Sequence, residues 1–132
     1  VKEKIDLNRV HFVGKLRYND FISLLQVSTV HVYLTYPFVL SWSLMEAMSC
    51  GCAIVASNTA PVKEVITHNE TGILVDFFDH SDIANQIISL LSSTHIRATL
   101  GKNARAHIVK NYDLRTICLP KQIKWIRSIL EN

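Results

Sequence analysis

Four short, mostly apolar runs that contain β-branched residues alternate with longer segments of helical periodicity, and this alternation constrains the fold more than any other feature. The runs are RVHFVG (Arg9–Gly14), TVHVYLT (Thr29–Thr35), AIVAS (Ala53–Ser57) and TGILVDF (Thr71–Phe77). Strands that alternate with helices form a parallel sheet with right-handed crossovers. The sequence therefore predicts an α/β fold with a doubly wound, Rossmann-like sheet. Because four strands are few for such a sheet, we expect its first strands upstream of residue 1.

The segments between the runs carry signals for helix ends. Asn19 or Asp20 is predicted to cap the first helix. The next helix is predicted over Ser43–Cys50, where Gly51 stops it, and Pro61 fits the first turn of the following one. The later signals are caps at Ser81 or Asp82, a helix over Arg97–Tyr112, and a C-terminal helix within 113–132 whose apolar stripe comprises Leu119, Ile123, Ile126 and Leu130.

Length and composition restrict the class of protein. A chain of 132 residues, 48% hydrophobic and 19% charged, fits one globular domain spanning 1–132. No run reaches the roughly 18 apolar residues that a membrane helix needs. The charged opening VKEKIDLNR resembles the end of a helix from a longer protein. We expect a cytoplasmic domain with another domain upstream.

The cysteines and histidines offer weak metal signals. Cys50 and Cys52 form a C-x-C pair without a second pair, and the third cysteine is Cys118. Small-residue packing is the favoured interpretation of the pair, with a metal or redox pair as the alternative. The histidines, at positions 11, 31, 68, 80, 95 and 107, show no ligand-like spacing. We expect no metal site.

The net charge of +3 conceals an uneven distribution. Residues 1–94 hold six Lys/Arg and nine Asp/Glu, whereas residues 95–132 hold eight and two. A solvated helix face, with the apolar stripe buried against this domain and the charges outward, explains such a basic tail. Contact with an anionic membrane or another acidic surface is the functional alternative. We expect no nucleic acid as a partner.

The loops that follow the first two runs are the predicted ligand site, because open α/β sheets bind ligands at the carboxyl ends of their strands. The loop Thr35–Trp42 leads into a helix start at Ser43, which suits a phosphate. Glu46 lies about one turn inside that helix and can accept hydrogen bonds from vicinal hydroxyls such as those of ribose. Together these features predict a nucleotide diphosphate. The alternative role for Glu46 is a helix-dipole partner.

A longer stretch, SLMEAMSCGCAIVASNTAPVKEVITHNETGILVDFFD, resembles the donor-binding C-terminal domain of retaining glycosyltransferases of GT-B fold, family 4. The matching elements are Glu46-Ala47-Met48, Gly51, Ala53–Ser57, Glu64-Val65, Thr71-Gly72 and Asp76–Asp79. VHFVGKL resembles the family's preceding strand and base-contacting loop, and LGKNARAHIVKNYD its later helix. The resemblance covers nearly the whole chain.

The family pattern has a further glutamate in the loop before Glu46, and this chain has no glutamate at the matching position. The family usually has two glutamates eight positions apart, and the second, which holds the ribose hydroxyls, corresponds to Glu46. The first falls on Phe38, and the family's Gly-Phe-Gly falls on Val39-Leu40-Ser41. Phe38 cannot accept a hydrogen bond from a sugar. Three explanations follow, of which we favour the first: backbone and water replace the carboxylate, the donor preference has changed, or activity is lost.

The resemblance also implies roles for the rest of the site. The backbone amides of Leu40, Ser41, Ser43 and Leu44 would face the sugar and the diphosphate, beside Phe38 and Val39. The residues that would flank the base are Gly14, Lys15 and Leu16, although Lys15 also fits a solvated loop. The family needs no metal or cofactor here, because the nucleotide-sugar is a substrate.

The implied function is donor binding in a retaining glycosyltransferase of the hexosyltransferase class, with a UDP-sugar as donor and a role in polysaccharide biosynthesis. The acceptor domain and the cations for the leaving diphosphate would lie upstream, so the fragment alone is expected to be inactive. The alternatives are a sugar-nucleotide epimerase of GT-B fold and a degenerate nucleotide-sugar-binding module. In GT-B enzymes the last helix often crosses to the N-terminal domain, and many members act on lipid-linked acceptors, which implies peripheral membrane contact.

Overall fold

Three parallel strands form the sheet in the computed structural model, which describes residues 5–36 and 39–131. The strands are β1 (His31–Tyr33), β2 (Ile54–Ser57) and β3 (Ile73–Val75), hydrogen-bonded in that order. His31 lies opposite Ile54, and Ser57 lies opposite Val75. The α/β prediction with a parallel sheet is confirmed.

The described residues form six α-helices. They are α1 (Tyr18–Val27), α2 (Trp42–Ser49), α3 (Ala60–Lys63), α4 (His80–Ser92), α5 (Thr94–Tyr112) and α6 (Leu119–Leu130). A 3-10 turn over Leu7–Arg9 precedes them, and a π-helical turn over Leu114–Cys118 joins α5 to α6. The crossovers β1–α2–β2 and β2–α3–β3 connect neighbouring parallel strands.

The central strand β2 is buried on both faces, which makes the sheet doubly wound. Ile54 and Ala56 belong to one apolar core, together with residues of α1, α2, α3 and α5. Val55 and Ala53 belong to a second core with residues of β3, α4 and α5. A continuous apolar run is what such a two-sided strand requires.

The helix ends agree only in part with the expected caps. Gly51, at φ +77°, follows the last turn of α2 in the left-handed region, as predicted. The first helix begins at Tyr18, before Asn19 and Asp20, so neither residue caps it; Asp20 instead pairs with the Arg17 guanidinium at 2.8 Å.

The cap of α4 also differs from the prediction. Asp79 caps it by accepting a hydrogen bond from the Asp82 amide at 2.9 Å. The predicted caps Ser81 and Asp82 lie inside the first turn, because the helix begins at His80. A residue already in helical conformation cannot act as the N-cap.

The predicted first strand, Arg9–Gly14, is wrong for the described structure. Arg9 belongs to the 3-10 turn, and residues 10–14 follow it without a strand partner. A β-branched run becomes a strand only through a ladder with a neighbour, and the side chain of Phe12 stays 92% exposed.

The second predicted strand is also shorter than expected. Val32, in the middle of β1, is 40% exposed, so this strand is not covered on both sides.

The C-terminal helix is present but does not pack as the charge pattern implied. We expected its apolar stripe to be buried against this domain with its charges outward, yet none of the residues of α6 is buried. Among the described elements, α6 chiefly contacts the π-helical turn before it. The apolar stripe therefore stays exposed beside Lys121, Lys124 and Arg127.

Candidate functional site at the start of helix α2

The loop after β1 ends in a capped helix start. Ser41 is the N-cap of α2, and its Oγ accepts a hydrogen bond from the Ser43 amide at 3.3 Å. The two hydroxyls of Ser41 and Ser43 lie 3.0 Å apart. The helix begins one residue earlier than predicted, at Trp42. A helix of eight residues that follows a parallel strand thus presents its first amides at the carboxyl edge of the sheet.

Two hydrogen-bonded contacts attach this loop to the sheet. The Tyr33 hydroxyl, on β1, accepts a hydrogen bond from the Ser41 amide at 3.1 Å. The Ser57 hydroxyl, at the end of β2, donates to the Thr35 carbonyl at 2.9 Å and accepts from the Thr35 amide at 3.1 Å. Both ends of the described loop are therefore held by side chains of neighbouring strands.

Glu46 is half-buried within α2, about one turn behind the capped start. Its carboxylate raises the pKa of the Tyr18 phenol, chiefly through its negative charge. Tyr18 is the first residue of α1 and closes the loop that begins at Gly14. The structure thus brings the two predicted loops together at Glu46.

Tyr18 is a site residue that the sequence patterns missed as such. It fell within the predicted loop Gly14–Tyr18, but nothing in its spacing indicated contact with a residue 28 positions later. Tyr18 thus adds an exposed phenol near Glu46. The carboxylate oxygens can accept hydrogen bonds from a ligand.

The expected base-flanking loop is exposed. Gly14 adopts φ +60°, a left-handed conformation that suits glycine, so the chain turns sharply there. Lys15 is exposed and Leu16 is half-buried. Of the remaining predicted contacts, Val39 is 69% exposed, Leu40 is half-buried and Leu44 is fully buried, so the side chain of Leu44 serves the core. Phe38 lies outside the described residues.

Cys52 packs as a small apolar residue, which is the favoured interpretation of the cysteine pair. Cys52 is buried, and its Sγ donates to the Leu25 carbonyl at 3.2 Å. Burial raises the pKa of the Cys52 thiol to about 11. Within residues 5–36 and 39–131, no group of three acidic, histidine or cysteine side chains is arranged to hold a metal ion.

Sequence and structure comparisons identify similar proteins over most of the chain. The family model for group 1 glycosyl transferases matches residues 2–107. An uncharacterized glycosyltransferase of Methanocaldococcus jannaschii is 31% identical over 126 residues, which is 95% of this chain and 31% of that protein. The N-acetyl-alpha-D-glucosaminyl L-malate synthase of Bacillus anthracis is 30% identical over 105 residues, or 80% of this chain and 27% of that protein.

Solved structures agree with this similarity. Sucrose-phosphate synthase from Thermosynechococcus elongatus superposes with a TM-score of 0.86 at 26% identity, over 95% of this chain and 31% of that one. Anabaena HepE in complex with UDP superposes with a TM-score of 0.81 at 29% identity, over 92% and 32%. The chain thus spans about a third of the length of these proteins. No helix in the described residues is both long and apolar enough to span a bilayer.

Proposed function

The chain belongs to the group 1 glycosyltransferases, with the fold of the C-terminal half of a GT-B, family 4 enzyme, and on that premise we propose that it binds the nucleotide-sugar donor of a retaining glycosyltransferase. The observation that carries this proposal is the Ser41-capped start of α2 with Glu46 one turn behind it. Both lie where the loop from β1 enters α2, at the carboxyl edge of a parallel sheet. This is the edge at which open α/β folds bind ligands.

In this proposal the diphosphate lies at the start of α2. The predicted donors are the amides of Leu40, Ser41, Ser43 and Leu44 and the two serine hydroxyls, and the positive end of the helix dipole favours the anion. The amides of Ser41 and Leu44 already donate, to the Tyr33 hydroxyl and the Ser41 carbonyl, so the diphosphate would rely on the Leu40 and Ser43 amides and the hydroxyls. The cap also has a cost, because the Ser43 amide already donates to Ser41 Oγ. That contact is long at 3.3 Å, so a phosphate oxygen competes with it readily.

Glu46 accepts the ribose hydroxyls in this arrangement. A carboxylate would repel the diphosphate if it lay at the helix start, but one turn further along the helix it reaches the neighbouring sugar. The two oxygens of the carboxylate offer enough acceptor sites for both ribose hydroxyls. The loop from Gly14 to Leu16, which leads to Tyr18, then lies beside the base.

We propose a UDP-sugar as donor and a hexose as the transferred group. HepE, which is similar to this chain, has been solved with UDP and with UDP-glucose. With Phe38 in place of the family's first glutamate, backbone groups and water would contact the donor sugar. The chain's contribution to transfer with retention is then positioning and stabilisation of the departing diphosphate, which leaves on the face where the acceptor attacks. No metal or other cofactor takes part in this scheme.

The acceptor and the membrane belong to the same proposal. The relatives are about three times as long as this chain, and we propose that an N-terminal domain binds the acceptor. The exposed stripe of α6, flanked by Lys121, Lys124 and Arg127, has the composition of a helix that lies on an anionic membrane. We propose peripheral contact through that face.

Isothermal titration of the chain with UDP, GDP and ADP tests donor binding. We expect heat with UDP, and weaker or no binding with the other two nucleotides. A transfer assay of the full-length protein with UDP-glucose and UDP-N-acetylglucosamine then tests the reaction. The absence of heat and of thermal stabilisation with all three nucleotides would overturn the proposed donor site.

A further inference from the structure

Three aromatic side chains cluster at the carboxyl edge of the sheet, beyond the site at α2. Tyr36 follows β1, and Phe77 and Phe78 follow β3. The Tyr36 ring stacks on Phe77 with centroids 5.7 Å apart, and Phe78 meets both rings edge-on at 5.0 and 5.1 Å. Tyr36 is 56% exposed and Phe78 is 63% exposed. The cluster is therefore an organised aromatic surface rather than part of either core.

Polar side chains share this surface. The rings border a cavity of about 250 Å³ that is also lined by Asn58, Thr59 and Asp76. The carboxylate of Asp76 accepts one hydrogen bond, from the Phe78 amide at 2.8 Å, which holds the turn and leaves further acceptor capacity. The Asn58 backbone amide donates to the Val75 carbonyl at 2.7 Å, which ties its loop to the end of β3.

The hydroxyl of Thr59 is the unusual group in this cavity. Its Oγ1 is buried, and it has no hydrogen-bond partner among the described residues. A buried hydroxyl without a partner is unfavourable, so its position beside the cavity indicates that a bound polar molecule or water completes its hydrogen bonding.

The combination of groups selects a class of ligand. An aromatic face packs well against the C–H groups of a sugar ring, whereas amide and carboxylate groups satisfy the ring's hydroxyls. A charged phosphate would meet the Asp76 carboxylate, and an extended apolar ligand would leave Asn58 and Thr59 unsatisfied. The volume lies below the roughly 300 Å³ at which pockets for drug-sized ligands begin, which suits a single ring.

We propose that the pocket formed by Tyr36, Asn58, Thr59, Asp76, Phe77 and Phe78 binds one pyranose ring. The proposal rests on the donor site proposed above, because it extends that site along the carboxyl edge from β1 towards β3. The ring comes either from the donor's own hexose or from a separate saccharide, and the chemistry of recognition is the same for both.

Two-dimensional 15N NMR of the chain tests the proposal and separates the two sources. One arm compares UDP-glucose with UDP, and the other adds methyl glycosides of glucose, galactose, mannose and N-acetylglucosamine to the UDP-bound chain. The reporter is the side-chain amide of Asn58. A shift with UDP-glucose beyond that with UDP identifies the donor hexose, and a shift with a methyl glycoside identifies a separate saccharide.

The variants Phe78→Ala and Asn58→Ala make the test specific to this pocket. Because Asn58→Ala lacks the side-chain reporter, the Phe78 backbone amide serves as the reporter in that variant. Loss of one stacking ring should weaken saccharide binding roughly 2- to 12-fold, while UDP affinity stays within twofold. Trp125→Ala, which removes an equally exposed aromatic ring on α6, is the matched control.

The pocket assignment is overturned if no saccharide or UDP-glucose shifts these reporters beyond UDP alone, or if the Trp125 control weakens binding as much as Phe78→Ala does. Failure of the donor site gives a different pattern. In that case UDP leaves the amides of Ser41 and Ser43 unchanged, while the methyl glycosides still shift the Asn58 reporter.

Discussion

Gly101 of α5 lies directly against the backbone carbonyl of Gly51, at the end of α2. An ideal Cβ on Gly101 would lie 2.1 Å from the Gly51 oxygen, far inside contact distance. The closeness of the two backbones is what allows α5 to pack on α2, whose inner face carries Leu44, Ala47 and Met48. The helix that presents the candidate site is therefore supported from behind by this glycine pair.

Gly101→Ala should destabilise the chain by about 1–3 kcal/mol, the usual cost of overpacking. Because the obstacle is backbone, it cannot move away as a flexible side chain would. The measurement is the urea midpoint of unfolding. The control is Ala106→Gly, at an exposed position of the same helix. Because glycine is the poorer helix former, this variant should be less stable than the parent by about 1 kcal/mol. Equal or greater stability of Gly101→Ala would contradict the close approach.

Tyr33→Phe removes the acceptor of the Ser41 amide and should loosen the loop before α2. A lost hydrogen bond of this kind costs about 0.5–1.5 kcal/mol. Since the loop would have to be ordered again on binding, UDP affinity should fall roughly 2- to 12-fold. Calorimetric titration measures it. Tyr112→Phe is the control, because the Tyr112 hydroxyl has no hydrogen bond within residues 5–36 and 39–131. If Tyr33→Phe binds UDP as tightly as the parent, the loop before α2 does not contribute to UDP binding.

His31 gives the stability a pH dependence. Burial lowers the pKa of this β1 imidazole below its ordinary 6.5, so the unfolded chain binds the proton more readily than the folded one. Stability should be fully retained above pH 6.5 and lost as the pH falls from there through the folded-state pKa. The free energy of unfolding at pH 7.5 and 5.5 measures this.

His31→Phe, which has a ring of similar size and no titration, should lose less stability over that range than the parent. His95→Gln, at an exposed position of α5, is the control. Parallel losses in the parent and in His31→Phe would show that His31 does not contribute to the pH dependence.

The α6 face should bind anionic vesicles. Each basic residue near such a surface contributes about 1 kcal/mol, and salt screens the attraction. We expect co-sedimentation with phosphatidylglycerol vesicles at low salt that declines at high salt. Replacing Lys121, Lys124 and Arg127 by Gln should abolish it, whereas replacing the exposed Lys102, Lys110 and Arg115 should weaken it less. If the chain does not bind at low salt, or if the two sets of substitutions weaken binding equally, α6 is not the membrane contact. Its apolar stripe would then be expected to contact another domain.

Much of the sheet could be predicted from the sequence because its signals are local. The run Ala53–Ala56 is apolar throughout, and a strand buried on both faces needs that pattern. Ser43, Glu46 and Gly51 lie in one short segment, so the helix and its carboxylate follow from spacing, although α2 begins one residue earlier than predicted, after the Ser41 cap.

The parts that could not be predicted depend on partners distant in sequence. Residues 9–14 have strand composition, but no neighbouring strand pairs with them in the described structure. The stripe of α6 indicates an apolar face without indicating what covers it. Tyr18 meets Glu46, and Tyr36 meets Phe77, only because the β–α crossovers bring separate loops to one edge. Phe38, the departure from the family pattern, lies outside the described residues, so its consequence stays a prediction.

The role of Glu46 in binding ribose is the central claim, and the affinity of Glu46→Gln for UDP tests it most directly. Loss of a charge-assisted hydrogen bond should weaken binding by about 1–3 kcal/mol, or roughly 5- to 150-fold. The parent should show a similar loss with 2′-deoxy-UDP, and Glu46→Gln should no longer distinguish UDP from the deoxy analogue. Glu70→Gln, at an exposed turn, is the matched control and should bind as the parent does. If Glu46→Gln binds UDP as tightly as the parent, Glu46 does not hold the ribose and acts only on the helix dipole.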